Sequence, residues 1–282
     1  MKIRILSDLH LDINGYPPPL TDKDSFTIIC GDIAGSVQTA CQWLDENIHN
    51  GLFVAGNHMF YSEPKLTVED IVGKYQEKYP LDKSVSFLNN SHKIIENTVF
   101  VGATLWTDYK LFGADSAPLY KYAATLGMND FRLGHIRQDG RFAHLTPEYC
   151  EAQFQKSLAY IKKVAEAYPD KNIVVITHHA PSVKSVDKEY LNSGLSPSFA
   201  NNLDKFILDH PNIKLWCHGH IHSFKNYQIG QCRVVCNPLG YARLNEKTRF
   251  QPDFTVDLTG NRVITRQPKG PKQLDDNVFY RT

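Results

Sequence analysis

The chain has 282 residues, with 31 Lys and Arg against 30 Asp and Glu, and a formal net charge of +1. That length buries a large core and fits one α/β domain with insertions. The charge balance excludes a general basic field for nucleic acid or a membrane surface, and no apolar stretch nears the ~20 residues of a membrane span.

The first β-like run, Lys2–Leu6, ends in Ser7-Asp8-Leu9-His10. It begins at residue 2 and leaves no room for a signal peptide, so a cytoplasmic, reduced protein is expected. The six cysteines contain no C-x-x-C pair and read as small buried thiols. A second run, 26–30, ends in Gly31-Asp32. Ser36 then reads as an N-cap, with Val37, Ala40, Cys41, Leu44 and Ile48 at helical spacing. Run 52–55 ends in Gly56-Asn57-His58, and Thr67 caps a helix with Val68, Ile71, Val72, Tyr75 and Tyr79 on its inner face. Thr146-Pro147-Glu148 starts another, with proline at the first helical position. Its stripe of Cys150, Phe154, Leu158, Ile161, Ala165 and Tyr168 reads as core packing.

Run 173–176 ends in Thr177-His178-His179. A helix over 197–210 leads to run 213–216, which ends in Cys217-His218-Gly219-His220-Ile221-His222. Runs 226–229, 233–236 and 254–258 are expected in a second sheet. The predicted domain spans 1–265, and 266–282 reads as a polar C-terminal tail.

Five short β-like runs thus each end in Asp, Asn or His. In open α/β sheets ligands bind beyond the carboxyl ends of the strands, so five such ends predict one shared site. Side chains alternate in extended chain, which puts His220 and His222 on one side. Mixed imidazole and carboxylate ligands suit Mn, Fe, Zn or Co.

Taken in order, D-x-H, G-D, G-N-H, T-H-H and G-H-x-H resemble the calcineurin-like metallophosphoesterase superfamily. The resemblance spans Asp8 to His222. It implies a four-layer α-β-β-α sandwich with two divalent metal ions at its edge. Asp8, His10, Asp32 and His222 would hold one ion. Asp32, Asn57, His178 and His220 would hold the other, with Asp32 bridging. His58 would not be a ligand but the catalytic residue facing the phosphate and leaving group. Two such ions about 3.5–4 Å apart share a hydroxide and clamp both ends of an in-line displacement. Two divalent ions less the charges of Asp8 and Asp32 leave two positive charges, suited to one hydroxide and one phosphodiester anion. The sequence departs from Ser/Thr protein phosphatases at Ile33-Ala34-Gly35-Ser36 and at Met59. It is similar to generic bacterial members that carry G-A-T-L-W-T-D, here Gly102 to Asp108.

The expected function is hydrolysis of a small phosphate monoester or diester, with no membrane partner. A nuclease is one rival, disfavoured by the charge balance. A non-catalytic scaffold is another, disfavoured because every expected ligand and His58 are present. Segment 106–146 runs about forty residues between the third and fourth motifs, far beyond an ordinary loop. Its aromatic content predicts a folded, lid-like insertion that selects the organic part of the substrate. Within it Arg132 is the expected phosphate contact, oriented by Asp130. His179 is a further substrate-facing candidate, and His218 reads as structural.

Overall fold

The computed structural model describes residues 1–258 apart from 16, 18, 19, 21 and 62–65. The expected tail at 266–282 lies outside the described residues. The strands are β1 (Lys2–Leu6), β2 (Thr27–Cys30), β3 (Gly51–Val54), β4 (Val85–Phe87), β5 (Ser91–Ile95), β6 (Thr98–Ala103), β7 (His135–Gln138), β8 (Arg141–His144), β9 (Asn172–Thr177), β10 (Ile213–His218), β11 (Lys225–Ile229), β12 (Cys232–Cys236) and β13 (Thr255–Asp257). The helices are α1 (Leu11–Asn14), α2 (Val37–Asn47), α3 (Val68–Lys78), α4 (Ala117–Gly127), α5 (Asp130–Leu133), α6 (Pro147–Ala167) and α7 (Asp204–Asp209).

Two sheets form, in the orders β13-β1-β2-β3-β4 and β11-β12-β10-β9-β6-β5. Their inner strands are parallel, and β13, β11 and β5 add antiparallel edges. Strands β2, β3 and β9 are buried on both faces and read as mainly apolar runs, while β1 carries one buried charge, Arg4, among its apolar residues. Alternation sends successive side chains to different layers. Ile5, Ile28, Leu52 and Val54 meet Phe100, Val174, Ile176 and Leu215 between the sheets. Leu6, Ile29 and Phe53 point outward onto Trp43, Leu44, Ile71 and Tyr75 of α2 and α3. On the far side Val99, Val101, Ile173 and Val175 pack on Phe154, Ile161 and Val164 of α6. Each such side chain stabilises by about 1.5–3 kcal/mol when fully buried, which fixes the register of helix on sheet. The result is the expected four-layer sandwich.

The caps behave as the sequence predicts. Ser36 accepts from the Thr39 amide, Thr146 accepts from the Tyr149 amide, and Thr67 forms a capping box with Asp70. All six cysteines are buried and free.

Two expectations need correction. The run at 254–258 does not join the second sheet: β13 pairs with β1, Lys2 opposite Asp257. The β11–β12 hairpin already occupies that edge of the second sheet, and the chain crosses back over the site before reaching the first. The expected helix at 197–210 is broken into a 3-10 turn, Ser196–Ser198, and α7. Between them the Asn201 amide nitrogen donates to the Trp106 carbonyl (2.9 Å), and its backbone N–H donates to the Ala180 carbonyl (2.9 Å). These tertiary hydrogen bonds outweigh local helix propensity.

Segment 106–146 is folded, as its aromatics predict. It carries α4, α5 and the β7–β8 hairpin, and Ala117, Ala124, Phe131, Ile136 and Leu145 join the layer outside the first sheet. The hairpin lies against α3, where Arg137 pairs with Asp70 at 3.4 Å.

Candidate metal centre

The five strand ends converge on one edge of the sandwich. Asp8 and His10 follow β1, Asp32 follows β2, and Asn57 opens a 3-10 turn (Asn57–Phe60) just beyond β3. His178 follows β9, while His220 and His222 follow β10. All of them except His222 are buried.

The backbone here is strained. Asp8 (φ 52°), His10 (φ 44°), Asp32 (φ 51°), His220 (φ 66°) and His222 (φ 34°) all occupy the left-handed region. Such residues cost of order 1–3 kcal/mol each and persist only where their surroundings over-determine them. The surroundings here do so. The Asp8 carboxylate accepts the His220 amide at 3.0 and 3.2 Å, and Asp32 Oδ1 accepts the His58 amide at 3.0 Å. Glycine opens the space. A Cβ at Gly56 would lie 2.1 Å from Asp32 Oδ1, and one at Gly31 (φ +89°) would lie 2.4 Å from His178 Nδ1.

The side chains aim at common points. His10 Nε2 and His222 Nε2 lie 3.0 Å apart, and His222 Nε2 is 3.6 Å from Asp8 Oδ1. Asp32 Oδ2 stands between the two halves, 3.9 Å from His10 Nε2 and 3.4 Å from His178 Nε2. Asn57 Oδ1 is 2.8 Å from His178 Nε2. The opposite ring nitrogens are tied down. His178 Nδ1 is bonded to the Cys30 carbonyl (2.8 Å), and His222 Nδ1 donates to Glu246 Oε2 (2.9 Å). This leaves Nε2 as the free donor atom in each case, the usual outer-shell arrangement of a metal-binding histidine.

These residues fit a pair of divalent ions. His220 Nε2 is buried without a hydrogen-bond partner, a costly state for a polar atom unless something else binds there. Asp8–His10–His222, His10–Asp32–His58 and Asp8–Asp32–His178 each bring three ligand atoms within 4.8 Å of one another.

Burial would raise the Asp8 carboxyl, but the hydrogen bond and charge of His222 outweigh it and hold it at about 2. Burial likewise opposes ionisation of Asp32, and the charges of His178 and His58 keep it well below the carboxylate range. Burial pushes His10 down to about 4 and His220 well below the imidazole range, so both are neutral donors. Burial also opposes charge on His178 and His222. The neighbouring Asp32 lifts His178 to about 9, and Asp8 with Glu246 lifts His222 to about 10. Both imidazoles are raised, so both carry protons at neutral pH in the metal-free protein and must lose them to ligate. Metal uptake at pH 7 is expected to release about two protons, with affinity weakening as pH falls. Calorimetry in buffers of different ionisation enthalpy measures this; uptake without proton release would contradict it.

His58 lies beside the cluster, with Nε2 3.2 Å from Tyr241 Oη. A groove of about 1060 Å³ opens from Asp32, Asn57, His58, His220 and His222. Its walls include Tyr61, Gly127 to Asn129, parts of 186–199, and Tyr241, Glu246, Lys247 and Arg249.

The expected substrate residues fall elsewhere. Arg132 is exposed, does not line the groove, and donates to Asn129 Oδ1 at 2.7 Å. Asp130 is buried and accepts hydrogen bonds from Asn57 Nδ2 (2.9 Å) and Tyr61 Oη, so it does not orient Arg132. The two are near neighbours on one short helical turn, but their side chains take different partners. His179 is buried behind His220, its ring 4.5 Å away, with Nδ1 3.2 Å from the Thr104 carbonyl. Of the insertion, only 127–129 reach the groove, so the β7–β8 hairpin forms no lid over it. Arg132→Ala is expected to leave catalytic efficiency unchanged for large and minimal substrates alike, and stability within about 0.5 kcal/mol. A loss confined to larger esters would restore the substrate role.

His218 is structural, its Nε2 2.8 Å from the Ser185 hydroxyl. Tyr61 and Glu246 were not anticipated. Tyr61 ends the 3-10 turn that Asn57 opens, four residues on, whereas Glu246 reaches His222 from a separate loop.

The sequence matches a family model, that of the calcineurin-like phosphoesterases, over residues 1–224. No curated protein matches it. Among solved structures it is similar to the phosphopantetheinyl hydrolase of Mycobacterium tuberculosis, with a TM-score of 0.67 and 16% identity over 93% of this chain and 98% of that one. A Staphylococcus aureus protein assigned as a 5'-nucleotidase overlaps more loosely, with a TM-score of 0.42 and 15% identity over 84% of this chain and 48% of that one.

Proposed function

We propose a specific reaction for this chain, which belongs to the calcineurin-like phosphoesterase family and is a metal-dependent phosphoester hydrolase. The reaction is hydrolysis of a small phosphate monoester or diester at a dinuclear centre. Asp8, His10, Asp32 and His222 would hold one ion, and Asp32, Asn57, His178 and His220 the other. Ions bound there supply the Lewis acidity that activates water and offsets phosphoryl charge. Identity among Mn, Fe, Zn and Co follows from supply as much as from these ligands.

The protein's own groups do the rest. Asp8 and Asp32 stay ionised and His10 and His220 stay neutral, so these four are ready to ligate at neutral pH, while His178 and His222 give up protons as the ions bind. His58 faces the groove at the start of a short 3-10 turn, and its backbone is fixed by Asp32. It is the proton donor to the departing oxygen, a role worth about 10²–10⁴-fold. The groove offers a wall of mixed polarity for the organic group.

The observation that carries this reading is the convergence of two buried carboxylates, Asp8 and Asp32, on the imidazoles of His10, His178 and His222, beside His220 Nε2, which is buried with no other partner. A nuclease fits less well: the groove lining holds three basic residues, Lys188, Lys247 and Arg249, against four acids, Asp32, Asp187, Glu189 and Glu246. That balance gives no electrostatic track for a phosphate backbone. A scaffold fits less well because every ligand position is intact.

The test is a panel of phosphomonoesters, linear diesters, cyclic nucleotides and phosphopantetheine esters, each with Mn, Fe, Zn or Co. Metal-dependent turnover of a small ester is expected. Metal-loaded protein that turns over nothing in the panel, or only nucleic acid, would overturn the reading.

A further inference from the structure

Asn57 is the one amide among the proposed ligands, beside two carboxylates and four imidazoles. An amide can present either oxygen or nitrogen, and only the oxygen can bind a cation. What decides its orientation lies in the insertion. Asn57 Nδ2 donates to Tyr61 Oη (2.6 Å) and to Asp130 Oδ1 (2.9 Å), while Tyr61 Oη itself donates to the same Asp130 oxygen. Both amide N–H groups are thereby used on Tyr61 and Asp130, away from His178. Turning the amide over would set Oδ1 against the Asp130 carboxylate and leave that buried acceptor short of a donor. Asn57 Oδ1 is left facing the centre, 2.8 Å from His178 Nε2.

Asp130 is itself unusual. It is 3% exposed, and among the described residues no Lys or Arg forms an ion pair with it. A buried carboxylate without a cationic partner is costly. It sits one side chain behind a cation ligand, where the missing positive charge would be supplied.

We propose that Asp130 is a positioning residue of the metal centre, which locks Asn57 with its oxygen toward the second ion and polarises that oxygen through the amide. The inference rests on the ligand role given to Asn57 above. It assigns the insertion a task other than substrate selection: α5 braces a ligand from outside, as carboxylates brace metal-binding histidines. A carboxyl group thus stands one hydrogen bond beyond the amide ligand.

The test compares Asp130→Asn, Asp130→Ala and the exchange Asn57→Asp with Asp130→Asn. Each is read by metal content after dialysis and by competition with a chelator, with thermal melting as the check on folding. Both single variants are expected to bind one equivalent as tightly as the unaltered protein and the other about 10–100-fold more weakly. The exchange is expected to recover most of that loss, because an amide at position 130 then donates to a carboxylate at position 57. A role in packing alone predicts no such recovery. Two equivalents held at unaltered affinity in Asp130→Asn, or no recovery in a folded exchange variant, would overturn the proposal. If Asp130→Ala does not fold, the isosteric Asp130→Asn decides. The readout is metal retention, so a metal-loaded protein that hydrolyses nothing would overturn the proposed function and leave this inference standing.

Discussion

Asp32→Ala is expected to empty both metal positions and abolish turnover. Its Oδ2 lies 3.4 Å from His178 Nε2 and 3.9 Å from His10 Nε2, between the two proposed sets, so no other side chain can take over its place. The effect should exceed the about 10–100-fold that loss of an outer-shell partner costs. One complication is that Asp32 Oδ1 also accepts the His58 amide. Asp32→Asn separates the two duties. It keeps the shape and an acceptor for that amide, but it lacks the charge needed to bridge, and it too should lose both ions. Elemental analysis after dialysis is the measurement, and two full equivalents in either variant would rule out the bridge.

The second large effect is expected at His58. His58→Ala should keep both metal equivalents and lose about 10²–10⁴-fold in kcat, the range of a general acid. The loss should shrink for nitrophenyl esters, whose leaving groups need little protonation, and be full for alkyl esters. Equal fractional losses for both would assign His58 to holding phosphate. Metal analysis matters here as well, because His58 lies within ligand reach of His10 and Asp32. A variant that drops an ion would make His58 a ligand.

The clustering of the candidate ligands was legible in the sequence because they are local to strand ends. A parallel strand buried on both faces is a conspicuous apolar run, and the residue after it is at the site edge whatever the rest of the chain does. Asp8, Asp32, Asn57, His178 and His220 all come this way. Helix starts were legible for a similar reason: Ser36, Thr67 and Thr146 act on amides three residues ahead. What failed depends on long-range contact. Asp130 meets Asn57 across 73 positions of chain, and no periodicity encodes that. Its sequence neighbour Arg132 invited an ion-pair reading that the geometry does not supply. The same holds for Glu246, which reaches His222 from a polar loop, and for β13, whose choice of sheet depends on which edge was still open.

One feature of the centre reaches beyond catalysis. Its oxygen donors Asp8, Asp32 and Asn57 all extend from the five-stranded sheet, whereas His178, His220 and His222 extend from the six-stranded sheet. Ions held by both groups would rivet one sheet to the other, tying a residue near the start of the chain to one beyond position 220. Topologically this is the work of a disulfide, in a chain whose six cysteines form none. It differs in being reversible: a chelator or acid unfastens it, and the sandwich then rests on its apolar filling and the hydrogen bonds that cross the edge, such as His220 N–H to Asp8.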